Sequence, residues 1–321
     1  MATATPKIVL GAGPFGAESD PLARFHTPDE VQSFLNIFRE HGYKHIDTAR
    51  NYSPHAPGTS EPLQGQTDFA SWAVTDSKIG FTGPGSHTAD KIELSIQQSL
   101  EALGVDSVNI MYLHSPDRQT PLDETCRAMA AACKAGKFKN WGLSSFRPDE
   151  VETVMDICMN EKLTPPAVYQ GQYNVVARLA EDELVPILRR HNLSYYGFSP
   201  GASGIFSDKW RKGQGRWGDH PIGKLYSSFY HKDEIFESAQ RVQKLASEHG
   251  ISGHAVALRW VMHHSILDGS RGDAMIIGAN SNAQLEENLE ICKQGPLPED
   301  IVKLVEEVWS VIKPVAPPAF A

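Results

Sequence analysis

Short apolar runs rich in β-branched residues alternate along the chain with longer segments whose apolar residues recur three or four positions apart. Eight runs read as strands, at 8–11, 45–49, 73–78, 107–114, 140–145, 167–174, 194–199 and 274–278. The segments between them carry helix punctuation. In TPDEVQSFLNIFREHG, Thr27 stands as N-cap, Pro28 as first helical residue and Glu30 three places after the cap, and Gly42 marks the end. TADKIELSIQQSLEALG sets Ile92, Ile96, Leu100 and Leu103 on one stripe and stops at Gly104. PLDETCRAMAAACKAGK and RPDEVETVMDICMNEKL repeat the pattern. So do NAQLEENLEICKQG and PEDIVKLVEEVWSVIK beyond the eighth run. Residues 201–231 read as a long loop rich in Gly and charge, expected to be mobile without a ligand and to order on binding one. Eight strands alternating with helices predict an α/β fold, a (β/α)8 TIM barrel with extra C-terminal helices and a long loop after strand seven. A doubly wound open sheet is the competing arrangement. No linker or low-complexity stretch interrupts the series, so 1–321 reads as one domain with its core at about 8–313.

Composition narrows the function classes. The net charge is −9 with no basic stripe, which argues against nucleic acid as a partner. No apolar run approaches the ~20 residues of a membrane span. The first ten residues hold one lysine and no apolar core, so no secretory signal is read and the expected location is cytoplasmic. Cys126, Cys133, Cys158 and Cys292 lie in amphipathic segments without metal-type spacing and read as reduced, core-facing thiols. In that setting the sequons at Asn51 and Asn192 are incidental. The histidine clusters HGYKH and MHHS straddle a helix stop or sit within a helix, and no metal site is expected of either.

KIVLGAGPFG, residues 7–16, carries G-x-G-x-x-G after a strand. A dinucleotide fingerprint of that kind needs a helix N-terminus directly after the glycines. Here AESDPLARFH follows, and the first helix begins near Pro28. The Rossmann reading fails on context.

The C-terminal strand ends of a barrel form its active face. Reading them in order gives Asp47 with Tyr52 just beyond, Lys78, His114, Ser144 and Ser145, Gln170 and Asn174, Phe198 and Ser199, and Gly278. Taken singly, each has a structural explanation: an Asp caps helices, a Lys is solvated, a His packs. At three successive strand ends, Asp, Tyr, Lys and His point into one bowl. An ammonium beside a phenol favours the phenolate and strengthens the phenol as an acid; a carboxylate orients the ammonium; a histidine can donate to a carbonyl oxygen. Such a set protonates a carbonyl oxygen while a nicotinamide or flavin delivers hydride to its carbon.

IDTARNY, TDSK and YLHSPD resemble the aldo-keto reductases, and the similarity is closest to the aflatoxin-aldehyde reductase branch. The longest stretch is LRWVMHHSILDGSRGDAMIIGANSNAQLEENL, supported by PLDETCRAM, GKF and VYQGQYN. The resemblance implies a barrel that binds NADPH (NADP+) in extended form. It implies Tyr52 as general acid, with Asp47, Lys78 and His114 as its catalytic partners. It matches Gly11, Ala12 and Gly13 to the loop beside the nicotinamide, Ser144, Ser145 and Gln170 to the carboxamide, and Phe198 to the ring that stacks on the nicotinamide. Ser199, Pro200, Gly201, Ala202, Ser203 and Gly204 match the pyrophosphate loop. Gly278, Asn280, Gln284, Glu287 and Asn288 match the adenosine end, and Lys209 and Arg216 match basic residues near the phosphates. A small-molecule carbonyl is the implied substrate, and relatives of the branch imply a homodimer.

The chain departs from the family in places. Ser145 stands where Asn is usual, Phe198 where Tyr or Trp is usual, and Gly201 follows Pro200 where a leucine is usual. In LYSSFYHKDEIFE, Ser227 and Phe229 replace two arginines of close relatives, one of which is implied to bind the carboxylate of acidic aldehydes. With Phe15, Phe81, Phe229 and Tyr230 as expected pocket walls, this points to neutral, bulky aromatic or polyketide-like carbonyls. The groups near Asn280 are neutral, so Lys209 and Arg216 would supply the charge for a 2′-phosphate. A redox-sensing subunit on the same barrel and an aryl-alcohol dehydrogenase working oxidatively are the alternatives. His114 favours catalysis over the former. A barrel hydrolase would need an acidic pair at the strand ends, which is not seen.

Overall fold

The protein is described by a computed structural model covering residues 4–207, 217–219 and 221–320. Eight parallel strands close into a barrel in chain order: β1 (Lys7–Gly11), β2 (His45–Asp47), β3 (Val74–Ile79), β4 (Val108–Leu113), β5 (Phe138–Ser144), β6 (Val168–Gln172), β7 (Ser194–Phe198) and β8 (Ala274–Ile277). β8 returns to β1 through the pairs Lys7–Ala274 to Leu10–Ile277, which excludes an open doubly wound sheet. All eight strands read from the hydrophobic pattern are present: β2, β4, β6, β7 and β8 are trimmed, β1 and β5 begin earlier than expected, and β3 is shifted by one residue. The helices are α1 (Pro28–Glu40), α2 (Ser60–Gly65), α3 (Ala89–Leu103), α4 (Leu122–Lys134), α5 (Pro148–Asn160), α6 (Leu184–Arg190), α7 (Pro221–Tyr230), α8 (Asp233–Glu248), α9 (Gly253–His263), α10 (Asn282–Cys292) and α11 (Glu299–Ile312). Together they make a (β/α)8 barrel with additional helices.

Local chemistry sets the boundaries. Thr27 accepts from the Glu30 amide and Glu30 accepts from the Thr27 amide, so α1 opens on a complete capping box with Pro28 in its first turn. α3 ends where Gly104 turns to φ +66°, a left-handed conformation that glycine adopts without cost. After Gly16 the chain runs through turns until α1, so the glycine fingerprint has no helix behind it. One expectation needs correction: the segment 201–231 is not loop throughout, because α7 occupies 221–230.

Alternation along the strands divides the core in two. Val9, Ile110, Tyr112, Val168, Tyr196, Ala274 and Ile276 fill the barrel. A larger shell packs between sheet and helices and includes Phe34 and Phe38 of α1, Ile92 and Ile96 of α3, Trp141 of β5 and Trp260 of α9. The four cysteines are free thiols on α4, α5 and α10, with Cys133 half-buried and the other three buried. His41 pairs with Glu286 at 2.9 Å and faces Glu290 at 3.7 Å, tying the end of α1 to α10. His264 accepts from the Leu297 amide, and His263 meets the Gln294 carbonyl. Among the described residues, no helix is long and apolar enough to cross a membrane.

Candidate active site

Side chains alternate in and out along a strand, so the last inward position of each strand faces the bowl above the barrel. Asp47 ends β2, Lys78 lies near the end of β3, and His114 follows β4. Tyr52 stands five residues past Asp47, in a loop where its amide donates to Ala49 O at 3.1 Å and where Ser53 takes φ +64°. The four meet. Lys78 Nζ donates to Asp47 Oδ2 at 2.6 Å, to the Thr48 carbonyl at 2.8 Å and to the Tyr52 hydroxyl at 3.0 Å. That hydroxyl donates to Asp47 Oδ2 at 3.1 Å. The His114 ring stands edge-on to Tyr52 with centroids 5.9 Å apart.

Burial tunes the group. It pulls the Lys78 ammonium below its ordinary range, and Asp47 opposes that pull at contact distance. Burial also pushes His114 down to about 3, with the Lys78 charge adding to the effect. His114 is therefore neutral at physiological pH, with one N–H to give. The arrangement can deliver a proton from Tyr52 through a hydroxyl already bonded to an ammonium, and can hold an oxygen with a neutral imidazole.

Around this centre lie the other positions singled out in the sequence. Gly11 closes β1, Ala12 is buried and Gly13 is exposed beside the Tyr52 ring. Ser144 ends β5 buried, and Ser145 follows at φ +65°. Gln170 turns its Nε2 to Asp47 Oδ1 at 2.8 Å, so its amide is joined to the tetrad. Phe198 ends β7 with its ring half-buried. Beyond it Ser199, Ala202 and Ser203 all take positive φ, as does Gly204, while Pro200 and Ala202 are buried and Gly201 is half-exposed. Three left-handed non-glycine residues within positions 199–203 make this a strained stretch of backbone.

Gly278 follows β8 in open space. The Asn280 amide donates to Gln284 Oε1 at 2.7 Å, Asn288 Nδ2 donates to the Gly278 carbonyl at 3.1 Å, and Glu287 is exposed on the same helix. Lys209 and Arg216 lie outside the described residues.

Two expected pocket walls are corrected. Phe15 is fully buried, edge-on to Phe25 at 5.8 Å and to Phe34 at 5.7 Å, so it belongs to the core beneath the loop. Tyr230 is fully buried and its hydroxyl is bonded to Gln172 and Asn174, which fastens α7 to the end of β6. Phe81 and Phe229 are half-buried.

Other residues were not singled out. Glu61, wholly buried on α2, accepts from Ser77 Oγ at 2.6 Å and from Arg50 at 3.3 Å behind the Lys78 strand. His254 Nε2 donates to Asn288 Oδ1 at 2.7 Å. Trp217 donates to the Ser203 carbonyl at 3.2 Å. Each is defined by a contact distant in sequence, which spacing does not reveal.

Residues 7–310 match the Aldo/keto reductase family. The chain is 35% identical over 319 residues to an oxidoreductase, sirO, of Leptosphaeria maculans, covering 97% of this chain and 96% of that one. It is 33% identical to human aldo-keto reductase family 7 member A3, covering 100% and 98%. It is also 33% identical to mouse aflatoxin B1 aldehyde reductase member 2, covering 98% and 88%. A closed eight-strand barrel, a matched family over nearly the whole chain and relatives aligned end to end agree: the chain belongs to the aldo/keto reductase family.

Proposed function

We propose that this protein reduces an aldehyde or ketone to the alcohol with NADPH, using Tyr52 as the proton donor. The contact that carries this reading is the 3.0 Å bond from Lys78 Nζ to the Tyr52 hydroxyl, with Asp47 behind both. The ammonium stabilises the phenolate left when the proton goes to the substrate oxygen. Asp47 holds the ammonium in line, and His114 steadies the same oxygen as a neutral donor. When bound, the nicotinamide supplies hydride to the carbonyl carbon.

The residues present suit an extended dinucleotide. A Cβ built on Gly278 or Gly204 would meet nothing within 4 Å, so backbone approach is open at both. Gly278, Asn280, Gln284, Glu287 and Asn288 would hold the adenosine end, and Ser199 to Gly204 the pyrophosphate. Phe198 would offer a ring face, with Ser144, Ser145 and Gln170 at the carboxamide. Preference for NADPH over NADH rests on Lys209 and Arg216.

The substrate class follows from α7. Its described side chains include no arginine, and its Lys224 is exposed and paired with Asp219 at 2.9 Å. We assign neutral, aromatic or secondary-metabolite-like carbonyls, and we place the protein in the cytoplasm as a homodimer, testable by sedimentation. The deciding assay follows NADPH absorbance with a panel of aldehydes and quinones. Turnover is expected with wild type and lost in Tyr52→Phe. Full turnover in Tyr52→Phe overturns the proton-donor role. Equal turnover with NADH overturns the cofactor preference, and succinic semialdehyde as best substrate overturns the substrate class.

A further inference from the structure

The alternation that brings Lys78 into the barrel also brings in the residue two places before it. Asp76 lies on the inward face of β3, in register with Asp47 on β2, and is wholly shut from solvent. Its Oδ1 accepts from Asn109 Nδ2 at 2.7 Å and from the Ile110 amide at 3.1 Å. Its Oδ2 has no hydrogen-bond partner. An ionised carboxylate needs donors at both oxygens, and a bare oxygen in a dry interior favours the protonated acid.

The charged and titratable groups around it come from five strands: Lys7 on β1, His45 and Asp47 on β2, Lys78 on β3 itself, Tyr112 on β4 and Tyr196 on β7. Lys7 gives its Nζ to the Tyr196 hydroxyl at 2.8 Å, and Lys78 gives its own to Asp47, Thr48 and Tyr52. Burial and the facing Asp47 charge outweigh both lysines and the Asn109 bond, and the Asp76 carboxyl is pushed up to about 7.

We propose that Asp76 is a positioning residue of this active site: its proton decides whether one carboxylate or two lie beneath the Lys78 ammonium, and so how firmly Tyr52 holds the proton it must deliver. The proposal rests on Tyr52 being the acid. With Asp76 protonated, Asp47 is the one carboxylate of this pair that carries charge. When Asp76 loses its proton to solvent, the second negative charge disfavours the phenolate, and Tyr52 keeps its proton to higher pH.

The test is the pH profile of kcat/KM for carbonyl reduction and for oxidation of the product alcohol, in wild type and Asp76→Asn. The amide removes the charge and keeps the shape. The alkaline fall of reduction and the alkaline rise of oxidation are both expected at lower pH, by roughly half a unit to one unit. Superimposable profiles overturn the proposal. Asn109→Ala removes one donor to ionised Asp76, so it should move both limbs the same way by a smaller amount. If Asp76→Asn does not fold, an unshifted Asn109→Ala profile is the overturning result.

Denaturation gives a readout free of turnover. A carboxyl raised in the folded state costs stability as pH rises from its ordinary 3.8 to about 7. The stability of Asp76→Asn relative to wild type should therefore climb across that window and then level, and a flat difference overturns the proposal. Undiminished turnover in Tyr52→Phe would instead sink the reading of Tyr52 as the acid, a failure these profiles do not share.

Discussion

Lys78 and Asp47 form an ion pair 2.6 Å long in which each side chain is 1% exposed. Neither charge has water to fall back on, so each is the other's main compensation. Asp47→Asn keeps the volume and the hydrogen-bonding shape but leaves the ammonium unpaired. Breaking a buried pair in this way costs about 3–5 kcal/mol. The same change removes what holds the ammonium against Tyr52, and kcat should fall by about 100-fold or more. Denaturant melts and steady-state kinetics on the variant measure both. A kcat within threefold of wild type would show that Asp47 does not serve Lys78 in the reaction.

Gly142 of β5 and Tyr112 of β4 share one space. A Cβ at Gly142 would stand 2.6 Å from two carbons of the Tyr112 ring and 2.7 Å from the Val168 carbonyl. Glycine is therefore required by packing, not by backbone conformation. Gly142→Ala should cost about 1–3 kcal/mol, as overpacked cores do. It should also lower turnover, since the Tyr112 ring lies under Lys78 Nζ at 5.8 Å. Tyr112→Leu in the same chain should recover part of the stability, and a double-mutant cycle by chemical denaturation reads the coupling. Strict additivity would show that the two residues do not compete for that space.

Asn174 connects the end of β6 to what lies above it. Its Nδ2 donates to the Ser199 carbonyl at 3.0 Å and to the Tyr230 hydroxyl at 3.2 Å, while its Oδ1 accepts from the Val176 amide at 3.0 Å. Ser199 sits at φ +58° and opens the loop proposed to pass the pyrophosphate. Asn174→Ala should raise the KM for NADPH several-fold with little change in kcat, because it loosens the loop and α7 without touching the tetrad. Cofactor titration by fluorescence checks this, and an unchanged affinity would detach Asn174 from cofactor binding.

The barrel was legible because its strands are short, apolar and regularly punctuated, and because the inward period of two falls on Asp47, Lys78, His114, Gln170, Phe198 and Gly278 alike. Strand position alone is enough to place those residues at the bowl. Phe15, just past β1, and Tyr230, the last residue of α7, face the core for a reason local sequence does not carry: an aromatic side chain looks the same whether its ring faces the bowl or the core behind it. Asp76 shares the inward period with Lys78, yet an acid inside a barrel reads as improbable until its burial and its bare oxygen are seen. Glu61 and His254 depend on partners 11 to 34 residues away and leave no local signature.

Three histidines whose charged form the fold disfavours should weaken it in acid. Burial pushes His45 and His87 down to about 4 and His114 to about 3, from an ordinary 6.5. For His45 and His114, nearby lysines push the same way; for His87, Asp117 opposes burial and does not overcome it. Between those values and 6.5 the unfolded chain binds protons that the folded chain refuses. Stability should therefore rise with pH across this window and fall as pH drops through it. His87 isolates the effect, since it is fully buried, lies outside the tetrad and has both ring nitrogens unpartnered. Its ring stands edge-on to Phe81 at 6.3 Å, in surroundings that suit an aromatic hydrocarbon. His87→Phe should leave stability at pH 8 nearly unchanged, add about 2 kcal/mol at pH 5 and remove about one proton from the acid unfolding limb. Urea melts at a series of pH values measure the slope, and parallel curves for wild type and variant would show that His87 is not held neutral by the fold.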